Sequence, residues 1–199
     1  MQDIEKGIDL LHKCVDMESY SEGCELAELL SVLEVSVAGD YNDYDGTPLG
    51  IGDLYDHRLL SGTFEKVVRE SLYLAYMGNE LSVKAEEIYC MMGNYGCYDI
   101  SLEEIMQSGK QELPDFKKFL LSWINYLGSQ SGRGAKILLQ EAQAMLGDEE
   151  QVLDIARKFV NLHPELYKQL LQKGLESEKW DKMLQIGLEA LEKIPVIAL

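Results

Sequence analysis

Residues 133–199 read RGAKILLQEAQAMLGDEEQVLDIARKFVNLHPELYKQLLQKGLESEKWDKMLQIGLEALEKIPVIAL, with two prolines, Pro164 and Pro195, thirty-one residues apart. Superposing the prolines brings Leu139 onto Leu170, Gly147 onto Glu178, Val152 onto Met183 and Ala156 onto Gly187. Self-similarity at a fixed period, with one chain-breaking proline per unit, marks an α-helical repeat whose units bury their apolar faces by stacking on neighbours. Ala135, Leu138, Leu139, Ala142 and Leu146 form the first stripe and end at Gly147. Asp148 then stands where an N-cap belongs, ahead of Val152, Ala156, Phe159 and Val160. After Pro164, the stripe Leu166, Tyr167, Leu170, Leu171 and Leu175 leads to Ser177, the expected cap of a helix carrying Trp180, Met183, Leu184, Gly187, Leu188 and Leu191. The apolar run after Pro195 reads as the opening of a further unit.

Upstream, helical periodicity persists nearly everywhere. Ile4, Ile8, Leu11 and Val15 make one stripe; Leu26, Leu29, Leu30 and Leu33 make another, with Val35 to Val37 as its last turn. Leu60, Phe64, Val67, Val68 and Leu72 begin a third, and Leu81, Ala85, Ile88 and Met92 a fourth that stops at Gly93-Asn94. Ser101 with Glu104 is a capping box, and Pro114 opens the stripe Phe116, Phe119, Leu120, Trp123, Ile124 and Leu127. Residues 39–57, rich in glycine and aspartate, lack a period and read as a long loop. The expectation is an all-α chain of nine or ten helices arranged as a helix-pair repeat or α-solenoid. An acidic helical region over 1–132 would run continuously into two helix pairs over 133–199.

The formal net charge is −17, from 35 acidic and 18 basic residues. It is unevenly spread: residues 1–132 carry 24 acids against 9 bases, whereas 133–199 carry 11 against 9. A negative field repels phosphate backbones and anionic headgroups, so nucleic acid and membrane are poor partners and a basic protein or peptide is favoured. The first residues, MQDIEKGIDLLHKC, do not form a signal peptide, and no apolar run approaches the ~20 residues that span a bilayer. Four cysteines without secretory context suit a reducing cytoplasm.

The repeated unit resembles the tetratricopeptide class, whose pattern runs from a large residue through Leu-Gly, Tyr and small residues to Pro. Tyr167, Leu170, Ala190 and Pro195 match in the second unit, with Trp180 opening its second helix; Leu139, Gly147, Ala156 and Pro164 match in the first. Leu171, Gly174, Met183, Gly187 and Lys136 depart from it. The resemblance implies peptide binding on the first helices, at Lys168 and Gln172 in one unit and Ile137 and Glu141 in the other. That set does not reproduce the family's carboxylate clamp. The stretch Gly39 to Asp53 also resembles helical regions that accompany SWIM zinc fingers, although the finger's Cys and His ligands are absent from this sequence.

Chemistry-bearing motifs are few. Aligning Gly46 with the sixth position of an EF-hand loop puts Asp43 and Asp45 at three and five, but Tyr41 and Gly52 stand where Asp and Glu are required. Cys90 and Cys97, or His12 and Cys14, lack zinc-site spacing, and the four cysteines read as small apolar core residues. Gly50-Ile51-Gly52 lacks the remainder of a nucleotide-binding fingerprint. No catalytic triad, metal or cofactor motif is present, so the expected role is a non-enzymatic scaffold. Its partner-binding residues would be Tyr41, Asp43, Tyr44, Asp45, Asp53 and Tyr55 in the acidic loop, with Lys168 and Gln172. Two other readings stay open: a divalent-cation-dependent enzyme using residues 40–57, and a ligand-free spacer within a larger protein.

Overall fold

The computed structural model describes residues 1–36 and 48–194. Among them the chain is all-α, with eleven helices and one two-residue antiparallel pairing. It forms two compact units, Met1–Phe119 and Leu120–Leu199. The division falls inside a helix, whereas the sequence places its change of character after Gly132.

The first unit is built around α4 (Phe64–Gly78), which buries Val67, Val68 and every residue from Glu70 through Tyr76. Turns buried on every side, as over 70–76, belong at the centre of the unit. Against it pack α1 (Gln2–Met17), α2 (Tyr20–Ser31), α5 (Lys84–Tyr95) and α6 (Leu102–Met106). The α2–α4 approach is close because small residues meet there: a Cβ on Gly23 would lie 2.6 Å from Leu74 Cδ2, and one on Gly78 would lie 2.6 Å from Cys24 Cβ. This contact corrects the expected leucine stripe. The buried face of α2 is Gly23, Cys24, Ala27, Leu30 and Ser31, and Leu29 is turned to solvent. The nearly buried Glu70 carboxylate pairs with His12 Nδ1, and the Tyr76 hydroxyl donates to the Pro114 carbonyl at 2.7 Å.

The expected loop at 39–57 is partly structured. Glu34–Val35 forms β1, not a last helical turn, and pairs with β2 (Leu49–Gly50) in the register Glu34↔Gly50 and Val35↔Leu49. A short helix, α3 (Ile51–Asp56), follows at once; the Gly50 N–H donates to Asp53 Oδ2 at 2.9 Å, and Ile51 and Leu54 are buried beneath. Two apolar side chains three residues apart were enough to seat one helical turn amid polar neighbours. The capping box at Ser101 is present, with the Glu104 N–H donating to Ser101 Oγ at 3.1 Å. Helix α5 runs beyond Gly93-Asn94 to end at Gly96, whose left-handed φ of 68° suits glycine.

Helix α7 (Phe116–Ser129) carries the boundary, and its later turns belong to the second unit with α8 (Arg133–Leu146), α9 (Glu149–Phe159), α10 (Glu165–Glu176) and α11 (Trp180–Lys193). Asp148 caps α9 as expected, its Oδ1 accepting from the N–H groups of Glu150 and Gln151. Ser177 does not cap α11: its hydroxyl turns back to the Lys173 carbonyl at 2.6 Å, closing α10. His163 is fully buried, with Nε2 3.0 Å from the Gln130 carbonyl. The expected α11 stripe is also turned. Ile186 and Ala190 are buried, while Trp180, Leu184, Leu188 and Leu191 face outward. Pro195 lies outside the described residues.

Candidate functional site

The C-terminal half of α2, the β1–β2 pair, α3 and the end of α5 surround a groove made of two clefts. One, of about 680 Å³, is bordered by Glu34, Asp53, Asp56, Phe64 and Tyr95. The other, of about 550 Å³, lies against Glu25, Glu28, Leu29, Glu87 and Cys90. They meet at Ser31, Val32 and Asn94. There Asn94 Nδ2 donates to Ser31 Oγ at 3.2 Å and Ser31 Oγ donates to the Glu28 carbonyl at 2.8 Å, which joins α5 to the end of α2.

Local chemistry explains each placement. Because the small face of α2 goes to α4, Glu25, Glu28, Leu29 and Val32 turn towards the groove. Pairing Glu34 with Gly50 brings β1 beside the start of α3, so Glu34 and Asp53 border one cleft although eighteen residues lie between them in sequence. Among the described residues, six carboxylates line the groove and no lysine, arginine or histidine does. None of the six is in an ion pair with a described residue, whereas some acids elsewhere, such as Glu70, Asp16, Glu189 and Glu149, are. Leu29 and Val32, 66% and 62% exposed, add an apolar strip between the acids.

The thiols of Cys24 and Cys97 are held protonated. Burial pushes Cys24 up to about 12, and the Glu28 and Glu87 carboxylates push the same way against the opposing hydrogen bond from Asn79. Burial also raises Cys97, with Asp99 and Glu65 adding to it. A protonated thiol is a poor nucleophile and a poor metal ligand. Cys14 and Cys24 are buried as expected, but Cys90 is exposed and Cys97 half-buried, so the reading of all four as core residues holds for the first two alone. No group of three or more His, Cys, Asp or Glu residues suited to a metal ion occurs among the described residues.

Of the residues expected to bind a partner, Tyr41, Asp43, Tyr44 and Asp45 lie outside the described residues. Asp53 borders the groove. Tyr55 sits on the same helix but is half-buried against Phe64, its ring centroid 5.8 Å from that of Phe64 and its hydroxyl pKa raised by burial and by Glu5. Lys168 is in the second unit at the rim of a different, apolar groove, and Gln172 is exposed on α10 outside that rim. Asp53 and Tyr55 thus belong to the first unit, and Lys168 and Gln172 to the second. Sequence reasoning missed Glu25, Glu28, Glu34, Asp56 and Glu87; the available signal was Glu25 and Glu28 at i and i+3, beside a leucine that the α2–α4 contact does not need.

No family model, curated protein or solved structure matches the chain. No described helix is long and apolar enough to cross a membrane.

Proposed function

We propose that the chain is a non-enzymatic helical-repeat scaffold that binds a basic protein or peptide segment in the acidic groove of its first unit, within a reducing, cytoplasmic compartment. The observation carrying this reading is the set of six carboxylates around the exposed Leu29 and Val32, with no ion-pair partner among the described residues. Lysine or arginine side chains would supply the missing counter-charge, and one aliphatic side chain between them would cover the apolar strip. Clustered charge of one sign raises encounter rates with an oppositely charged partner and makes binding salt-dependent.

The repeat part of the reading is supported by register in the second unit. Helices α9 and α11 begin thirty-one residues apart, at Glu149 and Trp180. Gly147 and Glu178, which the same register superposes, both have left-handed backbone, with φ of 73° and 55°. Glu178 adopts a conformation uncommon for a non-glycine residue at the position where the first unit has a glycine.

The test is binding of a short Lys/Leu peptide to the full chain, followed by fluorescence anisotropy. Affinity should fall at least about tenfold between about 50 and 300 mM salt. It should fall again in the triple variant Glu28→Gln, Asp53→Asn, Glu87→Gln, but not when Glu103 and Glu192 are neutralised. Equal affinity of the triple variant and the parent would reject the groove as the site.

A further inference from the structure

We propose that the outer face of α11 is a self-association surface, which a second copy of this chain covers with its own α11 in antiparallel orientation. This inference does not rest on the acidic groove, since every residue it uses is in the Leu120–Leu199 unit.

Helix α11 is apolar on two sides. One carries Ile186 and Ala190 into the unit's own core. The other carries Trp180, Leu184, Leu188 and Leu191, which are 62, 65, 56 and 75% exposed. Their spacing of four, four and three residues keeps them on one stripe. A groove of about 880 Å³ runs beside that stripe, with Leu171, Met183 and Ile194 on its walls. Together these side chains offer roughly 600 Å² of apolar surface per protomer, at the upper end for the largest patch on a monomer. Full burial of both patches would reach about 1,200 Å², the low end of stable interfaces.

The occupant follows from self-complementarity and charge. Gly187 interrupts the stripe near its middle, leaving a gap beside Leu188. Antiparallel pairing centred between these residues sets Leu188 of each copy over Gly187 of the other, and Leu184 opposite the other copy's Leu191. Such an arrangement closes on itself with two-fold symmetry. Residues 133–199 carry 11 acids against 9 bases, so this part of the chain is near neutral while the rest is strongly acidic. Two copies of a chain of net charge −17 therefore meet least repulsion through this surface.

Light scattering and sedimentation of the full chain should give twice 22.5 kDa at micromolar concentrations, with little change between about 50 and 500 mM salt. Leu188→Asp, which brings two carboxylates together at the two-fold, should return the mass to that of one chain while leaving the circular dichroism spectrum unaltered. Gly187→Ala tests the same point without adding charge. Its Cβ meets only Leu171 Cδ2, at 3.8 Å, within the protomer. It should nevertheless weaken the dimer by about tenfold or more, because it fills the gap that Leu188 of the other copy occupies. Leu29→Asp, in the first unit, should leave the dimer intact. A single-chain mass at every concentration, a dimer that survives Leu188→Asp, or one lost with Leu29→Asp would each overturn the proposal.

Discussion

Replacing Gly78 by alanine should destabilise the first unit, whereas the same change at Gly7 should stabilise it. Both glycines are helical, Gly78 closing α4 and Gly7 inside α1. A Cβ at Gly78 would stand 2.6 Å from the Tyr20 carbonyl oxygen and 2.6 Å from Cys24 Cβ. One neighbour is backbone and the other is the first atom of a buried side chain, so neither can swing aside and α2 must move away from α4. Overpacking of this kind costs about 1–3 kcal/mol. The helix preference of alanine over glycine returns about 1 kcal/mol in a helix interior and less at a terminal position. The net loss should be about 1–2 kcal/mol. At Gly7 the new Cβ would meet only Leu30 Cδ2, at 3.7 Å, which is ordinary contact. There the helix preference prevails, for a gain of about 0.5–1 kcal/mol. Urea unfolding followed by far-ultraviolet circular dichroism should move the two midpoints in opposite directions, by several tenths of a molar unit given m-values of about 1–3 kcal/mol/M. A Gly78→Ala midpoint at or above that of the parent, with m unchanged, would refute the idea that this glycine is needed for the α2–α4 approach.

Asp148→Ala removes the acceptor for two N–H groups at the start of α9 and should cost about 1 kcal/mol, read as a lowered thermal midpoint. Tyr76→Phe deletes the hydroxyl that donates to the Pro114 carbonyl and should cost about 0.5–1.5 kcal/mol in urea unfolding; no loss would mean that the bond contributes nothing net. Hydrogen bonds from Lys179 and Lys182 draw the Glu149 carboxyl down from 4.5 to about 2. Because the folded pKa lies below the unfolded one, the unfolded chain takes the proton first. This stabilisation is whole above about pH 4.5 and is lost as pH falls through about 2. The double variant Lys179→Met, Lys182→Met should therefore unfold at a higher pH on acidification, and an acid midpoint equal to the parent's would count against the pairing.

Much of the helical layout was legible because its signals are local. Period and caps depend on residues three and four apart, so the stripe before Gly147, the Ser101–Glu104 box and the Asp148 cap could be read along the chain. Errors arose where a neighbour decided. Ser177 and Asp148 look alike as caps, yet Ser177 finds the end of α10 before the start of α11. Residues 51–56 look like loop, but burial of Ile51 and Leu54 makes them a helix.

The candidate site shows the same division. By itself the sequence determined an all-α chain, the sign of its charge and the concentration of acids before residue 133. Only the tertiary structure decided which carboxylates share a groove. Helical periodicity gives the spacing of apolar residues along one helix, not how closely the next helix approaches. On α2 a close approach selected glycine, cysteine and alanine for the core and left Leu29 outside, beside Glu25 and Glu28. The same limit applies to α11, where sequence shows one apolar helix and packing separates an inner face from an outer one. Which apolar side chains remain uncovered depends on the distance between helices, a property no single helix encodes.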